Sequence, residues 1–308
     1  MPLFSVVIPT YNRRELLRHA LDSIWAQTFT DYEAIVVDDG STDGTWEELQ
    51  VLGSRVRALR QQNAGPGAAR NLGAQRATGD YLAFLDSDDL WLPWTLATYH
   101  QVISRYDAPS VMCASVAEFR GPVPKLVFEA LKVAAYRNYL SSTTDPCFAG
   151  SGMLNVKRTI FEKLGGFDES FAVAEDHDFM LRAGMEPGFI KIISPKILAY
   201  RRHPHSATDS TLAATAAALD LLRRDRVGVY PGKRLGSKHR WKLLTGMLRP
   251  VAIGCLNRGH ISEAWMLYFK SLRMHLHLAR FRFVLGFPLL LMAKKVSGLR
   301  RIERTPNP

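Results

Sequence analysis

No apolar run in this sequence is long enough to cross a bilayer. The longest, Phe283 to Ala293, has 11 residues, against the roughly 20 that a spanning helix needs. It is broken by Gly286 and Pro288 and fenced by Arg280, Arg282, Lys294 and Lys295. Cysteine is scarce. Cys113, Cys147 and Cys255 form neither a CxxC pair nor an even framework, which argues against a disulfide scaffold or a zinc ribbon. No basic stretch precedes the short apolar opening, so MPLFSVVIPT reads as a first strand rather than a signal peptide. The expected location is cytoplasmic. Acid is nearly missing from one region: Leu219 to Pro308 holds 19 Lys or Arg and 4 Asp or Glu, a net +15. The residues before it hold 21 and 25, a net −4. Such a shift implies two units, expected at 1–210 and 211–308.

What is present is ordinary for a globular chain. The 308 residues are 47% hydrophobic and 22% charged, enough to bury a sizeable core. The first two-thirds alternates strand and helix signals. FSVVIPT is a β-branched run ended by Pro9, and ELLRHALDSIWAQ repeats apolar residues at helical spacing. YEAIVVDDGS is a second strand, TDGTWEELQVL a capped helix and VRALRQ a third strand. PGAARNLGAQRA is a helix after a Gly-Pro-Gly break, and YLAFLD is a fourth strand. This alternation predicts an α/β fold with a mostly parallel central sheet, followed by a helical, basic C-terminal segment. Ligands of such sheets bind beyond the carboxyl ends of the strands, and the polar clusters fall there.

Asp38-Asp39-Gly40-Ser41 is either a strand-end turn or an acceptor for ribose and base hydroxyls and amines. Asp86-Ser87-Asp88-Asp89 sets three carboxylates in four residues, where mutual repulsion raises their pKa values unless a cation relieves them. If the strand continues, Asp86 and Asp88 share one face and suit a hard divalent ion that keeps waters and binds phosphate. Asp89 is then a helix cap for LPWTLATYHQV. Glu175-Asp176 precedes a helix, with Asp176 or Asp178 as a cap or Asp176 as a general base for a hydroxyl. Asn63 to Asn71 joins a flexible loop to a helix start, with Arg70 suited to phosphate or base. It lacks the GxxxxGK[ST] spacing of a P-loop. His203 and His205 are candidate metal ligands, each with a competing surface or core reading.

Taken together, SVVIPTYNR, VVDDGSTDGT, NAGPGAARNLG, FLDSDD, AGSGMLNVKRTIFEKLGGFDE and AEDHDF resemble the family 2 glycosyltransferases of the GT-A fold. The resemblance covers roughly the first 205 residues. It implies a base and ribose pocket lined by Pro9, Tyr11 and Asp39 and supported by Arg70. It implies a DxD motif at Asp86 and Asp88, with Asp88 the direct ligand of Mn²⁺ or Mg²⁺ and His203 near that ion. Asp176 would be the base, with Gly150, Ser151, Gly152 and Glu175 on the acceptor side. The donor would be a nucleoside diphosphate sugar, UDP by family frequency, and the acceptor a hydroxyl of a glycan or lipid-linked glycan. The processive members' QxxRW motif is not matched: Ser237-Lys-His-Arg240-Trp241 has Ser in place of Gln. The resemblance therefore implies one inverting transfer per encounter, in cell-surface glycan or polysaccharide synthesis.

Two other classes compete. A nucleotidyltransferase would want a Gly-rich, basic loop after the first strand, where this chain has PTYNRRE. A binding protein without turnover would use the basic region, but its cations are mixed with Leu, Trp, Phe and Met, and no nucleic-acid partner is expected. Those apolar residues recur at helical spacing in ISEAWMLYFKSLRMHL, suiting either packing or peripheral docking on an anionic membrane surface.

Overall fold

The computed structural model describes residues 1–143, 150–203 and 210–302, without the side chains of 233–237 and 293–302. It divides into two compact units, Met1–Ser206 and Ala207–Pro308.

The first unit begins β1 (Phe4–Thr10), α1 (Arg14–Trp25), β2 (Tyr32–Asp38), α2 (Thr45–Val51), β3 (Arg57–Arg60), α3 (Pro66–Gln75) and β4 (Tyr81–Phe84). It continues with β5 (Leu90–Trp91), α4 (Thr95–Arg105), β6 (Val111–Ala114), β7 (Val116–Phe119) and β8 (Lys132–Tyr136). It closes with β9 (Asn155–Lys157), α5 (Arg158–Lys163), α6 (Glu175–Arg182), β10 (Phe189–Ser194) and β11 (Leu198–Arg201). Eight strands form one sheet in the order β3-β2-β1-β4-β9-β6-β10-β8, and β5-β11-β7 form a second. In the large sheet β9 and β8 run against their neighbours and every other pairing is parallel.

Every residue of β1 is buried, as a central parallel strand covered on both faces requires. Pro9 does not end it, contrary to the sequence expectation. The Leu3 and Val7 carbonyls accept from Tyr81 and Leu85 of the β4 side, so alternate residues of β1 face that neighbour. Pro9 falls in this set, but β4 proper stops at Phe84, opposite Val7. The missing proline N–H therefore leaves no ladder bond unmade. Helix α3 presses on β1 and β2 through Gly73, where a Cβ would lie 2.4 Å from a Val7 methyl. Helix α2 has no capping side chain: Gly44 occupies the cap at φ 87°, while the Asp43 carboxylate accepts from the Thr45 N–H and hydroxyl.

The second unit consists of α7 (Thr211–Val227), α8 (Lys233–Asn257), α9 (Ile261–His277) and α10 (Phe281–Ile302). Its core gathers Leu221, Leu222, Leu243, Leu244, Leu267 and Phe287, all nearly inaccessible to water. Arg240 and Trp241, the end of the string that departs from QxxRW, both hold Asp225 of α7. The Arg240 guanidinium pairs with one carboxylate oxygen and the Trp241 indole N–H donates to the other at 3.0 Å. Their role here is to join α8 to α7. No described helix is long and apolar enough to cross a membrane.

Candidate active site

The parallel register of β1 with β2 and β4 brings Tyr11, Asp39 and the 86–89 turn to one edge of the sheet. Asp86 to Asp89 lie beyond β4 in a tight turn closed by the Asp89 N–H on the Asp86 carbonyl at 3.0 Å. They are not strand residues sharing a face, as the sequence expectation had them.

The three acids are separated by partners. Asp86 is paired with Arg70 at 2.5 Å, and the Ser151 hydroxyl donates to both its oxygens at 3.3 Å. Asp88 Oδ2 lies 2.7 Å from the Arg13 guanidinium and 2.8 Å from His203 Nε2. Asp89 is buried and accepts from the Arg201 N–H at 2.8 Å. Burial, with the Asp86 and Asp88 charges, pushes Asp89 up to about 9, so it holds its proton at neutral pH. The repulsion foreseen from the sequence is relieved by two cations and one proton. Asp89 is not the cap of α4, whose cap position is Trp94.

Arg70 departs most from its expected role. It is only 4% exposed, and its guanidinium bridges Asp86 and Glu175. Burial opposes its charge, but Asp86 and Glu175 outweigh that and hold its pKa above the usual arginine value. An arginine so engaged is not available to a phosphate or base; it fixes the first acid of the 86–89 turn. Glu175, expected on the acceptor side, likewise turns inward to Arg70. Burial pushes it up to about 7, with Arg70 opposing and Asp176 adding to the rise.

Helix α6 starts from Ala174 at φ 68°, a left-handed conformation unfavourable to alanine, and neither Asp176 nor Asp178 caps it. Asp178 is buried against Arg182, which also donates to the Leu164 and Gly166 carbonyls. Asn71 of α3 ties the same loop, donating to the Phe167 carbonyl and accepting from the Phe167 N–H, both at 2.8 Å. Phe84, Phe161, Phe167 and Phe179 pack tilted or edge-to-face beneath, with ring centres 5.1–5.5 Å apart. The result is a rigid seat for Asp176, which is half-buried and accepts from the Ser151 N–H at 3.0 Å. Trp91 donates to the Gly152 carbonyl at 3.3 Å and holds the other side of that loop. Gly150 also stands here, with a Cβ position 3.9 Å from Asp176 Oδ2.

Across the edge, Pro9 is buried and Tyr11 is exposed. Asp39 is already engaged: its oxygens accept from the Gln61 amide and the Ala64 and Gly65 N–H groups at 2.8–2.9 Å. It thereby holds the loop that opens α3. Of the two histidines, His203 joins the site, while His205 lies outside the described residues. Sequence reasoning missed Arg13 and Arg201 as partners of the acidic turn. The signal for Arg13 was its place just past a strand end, but only the pairing of β1 with β4 puts it beside Asp88.

A doubly covered sheet with an acidic turn at its carboxyl edge and a carboxylate on a facing helix is the arrangement of a GT-A transferase. The chain belongs to the family described as "Glycosyl transferase family 2", whose model matches residues 5–165. It is 29% identical over 233 residues to an uncharacterised glycosyltransferase of Haemophilus influenzae, covering 73% of this chain and 77% of that one. It is 43% identical over 115 residues to the succinoglycan biosynthesis protein ExoW of Rhizobium meliloti, covering 35% and 36%. The match thus spans little more than a third of ExoW. Among solved structures, S. aureus TarS 1-349 in complex with UDP-GlcNAc superposes with a TM-score of 0.67 at 18% identity, covering 96% of this chain and 92% of that one. At that identity the likeness is one of fold. The protein is a glycosyltransferase; the nucleotidyltransferase and non-enzymatic readings fall away.

Proposed function

We propose that the first unit transfers one sugar from a UDP-sugar to a hydroxyl of a glycan or lipid-linked glycan, with inversion, in polysaccharide synthesis. The observation that carries this is the pair of hydrogen bonds that Ser151 donates, from its hydroxyl to Asp86 and from its N–H to Asp176. One residue thus spans the donor acid and the candidate base. The sugar type of TarS's ligand and the biosynthetic role in ExoW's name support the donor and the process.

The donor set fits a divalent ion. Asp88 and His203 converge at 2.8 Å beside Asp86, and a hard cation at a phosphate site needs only one or two protein carboxylates. Among the described residues no group of three or more such side chains is gathered. Asp88 and His203 would hold Mn²⁺ or Mg²⁺, which would supply positive charge for the departing diphosphate, while Asp86 stays paired with Arg70. Arg13, beside Asp88, stands ready to meet the same phosphates. Asp176 takes the proton of the acceptor hydroxyl as it attacks the anomeric carbon. Glu175 is turned into Arg70, so it is not poised as the second carboxylate that a retaining double displacement requires. Tyr11, exposed at the end of β1, is placed to stack on the base, with Pro9 behind it and Asp39 shaping the adjoining loop.

Asp176→Asn tests the base. The turnover number should fall roughly 10²–10⁴-fold with UDP affinity by calorimetry little changed, and NMR of the product should show an inverted anomeric configuration. Activity near that of the parent in Asp176→Asn would place the base elsewhere.

A further inference from the structure

Helix α10 is apolar on two opposite sides, and only one is used. Phe283, Val284, Phe287 and Leu291 turn inward: the Phe283 and Phe287 rings pack on Tyr268 at 5.8–6.0 Å, and Phe287 and Leu291 are fully buried. Phe281, Leu285, Leu289 and Met292 recur at the spacing of a second stripe and are each 58–68% exposed. A helix in a water-soluble fold ordinarily turns charge to that side. Packing within the unit therefore accounts for one face and leaves the other open. On α9, Phe269 is also exposed, at 62%.

The charge on α9 and α10 is mostly of one sign, with Glu263 the one acid in either helix. Arg282 is exposed on α10, and Lys270 and Arg273 are exposed on α9. Arg280, at the head of α10, donates to Thr245, and Arg249 donates to the Thr245 carbonyl at 3.2 Å. Among the described residues neither has a carboxylate partner, and the two press on each other: burial and Arg249 hold Arg280 below its usual pKa. Lys294, Lys295, Arg300 and Arg301 follow in the sequence. Cations in excess of acids beside an open apolar stripe match one surface in particular. Anionic phospholipid offers phosphates to the arginines and acyl chains to the stripe.

We propose that the exposed stripe of α10, Phe281-Leu285-Leu289-Met292, docks the protein in the plane of an anionic phospholipid bilayer, with the exposed Arg282 on the lipid phosphates. The arrangement is independent of the donor-site reading, since no residue of that site takes part.

The test is co-sedimentation of the full chain with vesicles of phosphatidylcholine alone or with about 30% phosphatidylglycerol. The parent should pellet with the anionic vesicles only and be released by salt. Leu285→Asn/Leu289→Asn removes apolar surface without changing charge. It should lower the partition coefficient about tenfold or more, with an unchanged thermal midpoint. Leu289→Trp, which keeps the surface apolar, should bind as the parent does and show added tryptophan emission quenched by brominated acyl chains. UDP binding in lipid-free buffer, measured on the same samples, separates a failed donor site from failed docking. A parent that stays in the supernatant with anionic vesicles overturns the proposal, as does a double variant that binds equally well. So does a lipid-free parent that weighs as a dimer while the double variant weighs as a monomer, because a second copy then covers the stripe.

Discussion

The two units solve the problem of buried charge in opposite ways. In the first, three acids gather at the sheet edge with Glu175 behind them; Arg13 and Arg70, from distant parts of the chain, offset Asp88, Asp86 and Glu175, and Asp89 keeps its proton. In the second, cations outnumber acids so heavily that single acids become valuable. Asp225 alone serves both the Arg240 guanidinium and the Trp241 indole, while among the described residues Arg249 and Arg280 share only backbone and hydroxyl oxygens. Concentrated acid suits a site that must accept a cation or a proton. A surplus of base leaves charge to face outward. The difference points to one unit built for chemistry and one with charge to spare for a surface.

The comparison can be broken most forcefully at its two buried ion pairs. Asp225→Ala leaves Arg240 buried beside a lost partner, and arginine cannot shed its proton. Urea unfolding should show the second unit weakened by about 3–5 kcal/mol, with UDP affinity unchanged. Arg70→Met should weaken the first unit less, by about 2–3 kcal/mol, because Glu175, already at about 7, relieves itself by taking a proton. Its larger effect should be on turnover, since Asp86 loses its anchor.

Titration sharpens the contrast. Asp89 is pushed up to about 9 when folded, so the unfolded chain releases that proton first. Stability of the first unit is therefore lost as pH rises, from above the ordinary aspartate range to about 9. The slope is about 1.4 kcal/mol per pH unit at most, and Asp89→Asn should flatten it. His275 in the second unit is buried, both its ring nitrogens lack a hydrogen-bond partner among the described residues, and burial with Arg280 and Arg249 pushes it down to about 4. The unfolded chain binds that proton first, so this unit loses stability as pH falls from about 6.5 to 4, and His275→Phe should remove the loss. Denaturation series at about pH 4, 6.5 and 9, which span both windows, would show whether the two units respond in opposite directions. The smallest expected effect is Ser151→Ala, about 1 kcal/mol for a part-buried hydroxyl. If Ser151 couples donor to base, kcat should fall while the unfolding midpoint scarcely moves.

Much of this was legible in the sequence because it is local. The alternation of FSVVIPT, ELLRHALDSIWAQ and YEAIVVDDGS reports side-chain periodicity, and periodicity is the direct signature of a strand or a helix. The acidic turn and the Glu175-Asp176 pair stood out because several charges in a few residues are costly anywhere but at a site. What was illegible was contact between positions far apart in the chain. Asp86 and Glu175 are brought onto Arg70 only when α6 docks against α3, so the sequence showed a basic residue near a loop where the fold holds a buried bridge. The same holds for β9, three residues that run against the sheet between β4 and β6: too short for a pattern, it exists only because both neighbours offer it hydrogen bonds. By itself the sequence determined the α/β alternation, the acidic edge and the basic helical tail, since each depends on neighbours within a few positions. Which acid is paired, which is protonated, and which apolar face of α10 stays open were decided by tertiary structure, because burial and partner distance exist only once separated segments meet.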